Sequence, residues 1–239
     1  MVTGLYLLIS LAALACLVWS VRILRAGWDF AVFLIALPLS LLWYDSFLIA
    51  TGRFIGEGEV LLALSWPRYI AHAVFLPAWI AAAGLIARRA DLSWAQPVFV
   101  TAIFFLLALG GFGLGVLELL SMELYPVCLN GTLRYVTYVS EGQACEAATA
   151  GLGHAPQGPP IVPVVATILF LIIGIMLWIS QKWPWLALGS IVMFAMAGMP
   201  QSIAGPLLAN MAEPLIAAAA LLTARRFQLT SDNNQPEGS

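Results

Sequence analysis

Residues 30–51 read FAVFLIALPLSLLWYDSFLIAT, a run in which Asp45 is the sole charged side chain. A helix crossing about 30 Å of hydrocarbon needs roughly 20 mainly apolar residues, so this stretch is long enough to span a bilayer. The same accounting extends to the whole chain. Of 239 residues, 62% are apolar and 9% are Asp, Glu, Lys or Arg, whereas soluble domains carry about 25% charged residues. A water-soluble globule, a disordered chain and a disulfide scaffold are thereby excluded. The net charge of −2 gives no reason to expect nucleic acid as a partner.

Applied along the chain, the length criterion predicts an all-α polytopic bundle of seven transmembrane helices at about 3–21, 30–51, 69–87, 97–120, 160–180, 183–199 and 203–224. The sixth is short, bounded by Pro184 and Pro200. Residues 1–227 form one transmembrane domain with a polar loop at 122–159, and 228–239 read as a disordered tail rich in polar residues. No charge precedes Arg22 and Arg25, the reverse of a secretory signal, which places the N-terminus outside. With that orientation the inner segments hold Arg22, Arg25, Arg88, Arg89, Lys182, Arg225 and Arg226, and the outer ones hold Arg53, Arg68 and Arg134. Basic residues accumulate on the cytoplasmic side, and Trp rings settle at the interface. Trp19, Trp28, Trp94, Trp178, Trp183 and Trp185 gather at the same inner boundary. The C-terminus is then cytoplasmic, and the expected membrane is the plasma membrane of a bacterium.

An ionisable group inside the membrane is costly and marks a functional-site hypothesis. Asp45 and Glu213 lie well within predicted spans, with Glu118 near the outer end of the fourth. At about 1.5 Å per residue, Asp45 sits roughly 9 Å and His72 roughly 5 Å below the outer surface. Their helices are antiparallel neighbours, so the two side chains can meet. Asp45, His72 and Glu213 are therefore the expected catalytic residues. Arg53, Glu57, Glu59, Arg68, Glu118 and Asn210 are the expected ligand contacts at the same depth, with Glu123 and Gln201 nearby. Between the second and third spans, residues 53–68 read as a glycine turn at Gly56 and Gly58 followed by a short interfacial helix, a candidate lid.

Each residue also has a purely structural reading. Asp45 would pair with Arg53 or His72 to fix helix packing, and Glu213 would serve backbone groups freed by Pro214. His72 would bond a carbonyl, and the remaining acids would be solvated at the interface. Met193, Met196 and Met199 recur at helical spacing and read as packing. Gly111 and Gly115 form a GxxxG close-packing face. The sequence holds no HExxH, GxSxG or Asp-rich motif. Its two histidines, His72 and His154, are separated between span and loop, so neither metal nor cofactor is expected. Cys128 and Cys145 are a candidate disulfide, and Asn130, Gly131 and Thr132 match a glycosylation sequon.

The pattern supports an enzyme that uses an acid kept protonated by its apolar setting, with His72 as proton-transfer partner, on a lipid or isoprenoid substrate. Small seven-span terpenoid cyclases share this size and acid usage, an analogy of topology alone. A small-molecule transporter or receptor and a structural or lipid-binding subunit are the alternatives. Membrane lipids are the expected partners in every case. A retinal protein is excluded, because the last span has no lysine.

Overall fold

The computed structural model describes residues 2–146, 149–153, 160–199 and 207–233, the side chains of 229–233 excepted. Gln201, His154, Pro200 and Pro206 lie outside the described residues. Five of the long helices are α1 (Val2–Ala26), α2 (Phe30–Ile55), α5 (Val98–Leu120), α6 (Ile161–Gln181) and α8 (Leu207–Asn233). A sixth long element, Glu59–Arg89, comprises α3 (Glu59–Ile70), a π-helical turn (Ala71–Phe75) and α4 (Ala78–Arg89). Among the described residues, six helices are long and apolar enough to cross a membrane, and α7 (Trp185–Ala197) is shorter. The chain is a multi-pass, helical membrane protein.

Helix is the form these sequences must take in hydrocarbon, because every backbone N–H and C=O is then satisfied within its own segment. The exposed faces are accordingly apolar, with Leu8, Leu109, Leu117 and Ile179 at 63–70% exposure. Where helices meet, small residues set the spacing. A Cβ on Gly174 would stand 2.3 Å from the Ala187 nitrogen, and one on Gly189 would stand 2.6 Å from the Ala219 methyl. Those two contacts bring α6, α7 and α8 together.

Four expectations change. The third span begins at Glu59 rather than near residue 69, so the supposed interfacial helix is the first part of that span and not a separate lid. The sixth apolar segment holds a helix of 13 residues, roughly 20 Å at 1.5 Å per residue, shorter than the span expected at 183–199. The last helix runs to Asn233, beyond Phe227, where the polar tail was expected to start. Finally, the 122–159 connection contains a β-hairpin, Tyr125–Leu129 (β1) with Thr132–Val136 (β2).

The hairpin has a local cause. Asn130 (φ 53°) and Gly131 (φ 77°) both occupy the left-handed region, as a two-residue type I′ turn requires and as Asn-Gly permits. The dipeptide that resembles a sequon is thus the hairpin turn. Cys128 and Cys145 are disulfide-bonded, and the Cys128 amide donates to the Gln143 carbonyl at 2.8 Å. This unit seats on the ends of α2 and α3, because Gly52 lets it approach. A Cβ there would fall 2.1 Å from the Leu133 carbonyl oxygen.

Candidate functional site

Beneath the hairpin lies a cluster of ionisable side chains drawn from four separate elements. Asp45 of α2, buried to 4% exposure, receives the Arg68 Nε of α3 in an ion pair. Arg68 also donates from Nη1 to the Tyr135 carbonyl at 3.3 Å. The second carboxylate oxygen, Asp45 Oδ2, lies 3.4 Å from His72 Nε2 and 3.5 Å from the Asn210 amide nitrogen of α8. Asn210 reaches Ser46 Oγ at 3.4 Å as well. From α8, Glu213 Oε1 is 3.9 Å from the same nitrogen, His72 Nε2. Asp45, His72 and Glu213 thus meet, although they are separated by as much as 168 positions in sequence.

The π-helical turn is what places His72. Pro77 follows Ala73 by four residues and has no N–H to donate to its carbonyl, so the α-helical pattern fails there. The chain instead closes a wider turn, with the Leu76 amide donating to the Ala71 carbonyl at 3.0 Å. Such turns recur at functional sites because they re-aim side chains within a helix. Gly115 of α5 accommodates the displaced backbone, since a Cβ at that position would lie 1.8 Å from the Ala73 oxygen. Gly111, one turn earlier, faces Pro77. The GxxxG face therefore braces the turn that carries the histidine.

Two spaces adjoin the imidazole. A crevice of about 520 Å³ opens between α5, the π-turn and the start of α6, lined by His72, Tyr69, Glu118, Leu114, Thr137 and Val162, among others. It continues past Glu118, Met122 and Thr137 into a second hollow of about 300 Å³ beside the hairpin. On the interior side, a small cavity of about 30 Å³ is lined by His72 and Glu213 together with Leu42, Trp79, Thr167 and Met193. His72 is common to the crevice and this interior cavity. Leu114 and Ile161 at the crevice wall are 58% and 70% exposed, so its mouth is apolar while its floor is polar.

The remaining expected contacts divide. Asn210 and Arg68 join the cluster, though Arg68 is consumed by Asp45 and Tyr135 rather than left for a ligand. The partner of Asp45 is thus Arg68, and Arg53 lies apart. The Arg53 guanidinium sits 4.9 Å from the Phe54 ring centroid, exposed. Glu57 and Glu59 are exposed and outside the cluster. Glu118 lines the crevice, whereas Glu123 accepts a 2.5 Å hydrogen bond from the Tyr125 hydroxyl. That bond raises the Tyr125 phenol above its ordinary value.

Several participants were not anticipated. Tyr135 accepts through its carbonyl from Arg68 and from the Tyr69 hydroxyl, the latter at 2.9 Å. Its own hydroxyl meets the Gly58 amide at 3.2 Å, so it ties hairpin, turn and α3 together. Arg134 is buried beside Tyr6 of α1. Burial, and then the neighbouring Arg68, holds its guanidinium below the usual arginine value. The Asn-Gly turn was the available sequence signal for these residues, because a hairpin centred there brings 134 and 135 back over the bundle.

One ligand atom from each of Asp45, His72 and Glu213 lies within 4.8 Å of the others. An imidazole and two carboxylates are a reasonable donor set for a divalent cation. However, the Arg68 guanidinium already supplies positive charge at Asp45, so the fit is poor while that pair stands. The cluster's own groups are suited to orienting and moving a proton. No family model, curated protein or solved structure matches this chain.

Proposed function

We propose that the protein is a membrane-embedded enzyme that carries out proton transfer on an amphiphilic substrate, a lipid or isoprenoid, entering the crevice beside His72. The observation that carries this reading is the position of His72 between a crevice with an apolar mouth and an interior carboxylate, Glu213. Asp45 is held as a carboxylate by Arg68 and acts as a positioning residue. If the Nε2 proton is donated to Asp45, Nδ1 retains its lone pair and is the base, the usual logic by which one ring nitrogen sets the role of the other. When Nδ1 takes a proton from the substrate, the imidazolium releases its Nε2 proton to Glu213, whose Oε1 is 3.9 Å from that nitrogen, and Glu118 sits at the crevice wall to orient a polar headgroup.

On this reading the hairpin end faces outside, seven apolar helices are embedded and the C-terminus is cytoplasmic, in agreement with the distribution of Arg, Lys and Trp. A bacterial plasma membrane is the setting we infer. A second reading, a structural or lipid-binding subunit, draws support from the completeness of the Asp45 network, since Arg68 and Asn210 satisfy it without a substrate.

Mass spectrometry of small molecules retained by the purified protein tests the proposal. Wild type is expected to retain an amphiphile that His72→Ala, at equal abundance in the membrane, loses. Equal retention by the two proteins would favour the second reading.

A further inference from the structure

A second site lies at the opposite end of the bundle, far from the hairpin. There a cavity of about 440 Å³ separates the end of α1 from α8, lined by Trp19, Arg22, Ile23, Ala26, Gly27, Arg225 and Gln228. Three other cations at this end are engaged, and Arg25 lies outside the cavity lining. Arg89 pairs with the buried Asp29, Arg88 donates to Thr101 Oγ1 at 3.4 Å, and Arg226 lies 5.9 Å from the Trp183 ring centroid. Arg22 and Arg225 have no acidic partner among the described residues. Two guanidinia from different helices, without an acidic partner among the described residues, therefore line one hollow.

The rest of the lining suits a particular anion. Trp19 packs partly against the core and offers the amphipathic ring that settles at a headgroup boundary. Gln228 adds an amide, and Ile23 and Ala26 give the hollow an apolar side. Guanidinium groups recognise phosphate by paired hydrogen bonds, and basic pockets between transmembrane helices bind anionic headgroups. The absence of a Cβ at Gly27 leaves room beside Gln228, whose amide nitrogen would be 3.7 Å from one.

We propose that this cavity binds a phosphate group, carried by an anionic glycerophospholipid, through Arg22 and Arg225. The site is independent of the His72 crevice, and its occupancy is not required for the proton-transfer reading. It places a bound headgroup between the first and last helices at the arginine end, where it would clamp α1 to α8.

The full-length protein in neutral detergent, supplied with phosphatidylglycerol and examined by native mass spectrometry, provides the test. Wild type should retain the lipid, and the R22Q/R225Q variant should retain it roughly tenfold less or weaker still. R25Q, which removes an equally exposed charge outside the cavity, should behave as wild type. Ala26→Trp keeps both arginines but fills the hollow, and should also lose retention, which covers the case in which the double variant folds poorly. Competition by inorganic phosphate would assign recognition to the phosphate group itself, and its failure to compete would assign it to the whole lipid; either supports the site. Unchanged retention by R22Q/R225Q and by Ala26→Trp, or an equal loss in R25Q, would overturn it.

Discussion

Arg68 and Asp45 form a buried ion pair between α2 and α3, and the same aspartate reaches His72 on the next turn of the third span. Removing one partner of such a pair leaves the other charged and uncompensated in a low-dielectric setting, a loss of about 3 to 5 kcal/mol. Asp45→Ala should therefore lower stability severely, as read by thermal unfolding in detergent. Replacing both partners with apolar residues, Asp45→Leu with Arg68→Met, should recover much of that loss. Failure of the double variant to recover would show that Arg68 is anchored chiefly by Tyr135.

The brace behind His72 makes a sharper steric prediction. Gly115→Ala would push a methyl into the Ala73 carbonyl, forcing α5 away from the π-turn. Gly113→Ala has nothing within 4 Å of its added carbon. The first substitution should cost several degrees of thermal stability, and the second should be near neutral or slightly stabilising, because glycine is the poorer helix former. Equal effects would contradict the close approach of α5 to the turn.

For the hairpin, the disulfide is the main cross-link. Its two cysteines are 17 residues apart, and closing a loop of that size stabilises by about 3 kcal/mol. Cys128→Ser with Cys145→Ser should loosen the hairpin over Asp45 and Arg68. Hydrogen exchange at residues 125–136 should rise in this variant, and in wild type treated with reductant, while the lower halves of the helices stay protected. Unchanged exchange would mean that Tyr135 and Gly52 suffice to hold it.

Orientation is open to chemical labelling. In a Cys16→Ser background, Arg53→Cys should react with a membrane-impermeant maleimide added to intact cells, and Arg25→Cys should react after permeabilisation. Both side chains are exposed. The reverse pattern would invert the topology and move the His72 crevice to the cytoplasmic side.

Much of this architecture was legible in the sequence because its cause is local. Charge-free runs of about 20 residues report their own membrane crossing. The meeting of Asp45 with His72 followed from depth and antiparallel neighbours alone. The identity of the arginine was not legible: Arg53 is nearer to Asp45 in sequence, but the unbroken helix from Glu59 turns Arg68 inward. Nor was the Glu213 contact, which depends on how α8 packs against α2 and the π-turn. The hairpin was legible in principle, through Asn130 and Gly131, but the sequon match and the high polarity of the segment masked the alternation in YPVCL and TLRYV.

The central claim is that an amphiphile meets His72 through the crevice between α5 and the start of α6. A photoactivatable residue at Leu114, on the crevice wall, compared with one at Leu107, which is exposed on the same helix but outside the crevice, tests it most directly. We predict a discrete cross-linked amphiphile at Leu114 that is lost in His72→Ala, and an undifferentiated mixture of bulk lipids at Leu107. The same bulk mixture at both positions, indifferent to His72, would contradict the claim.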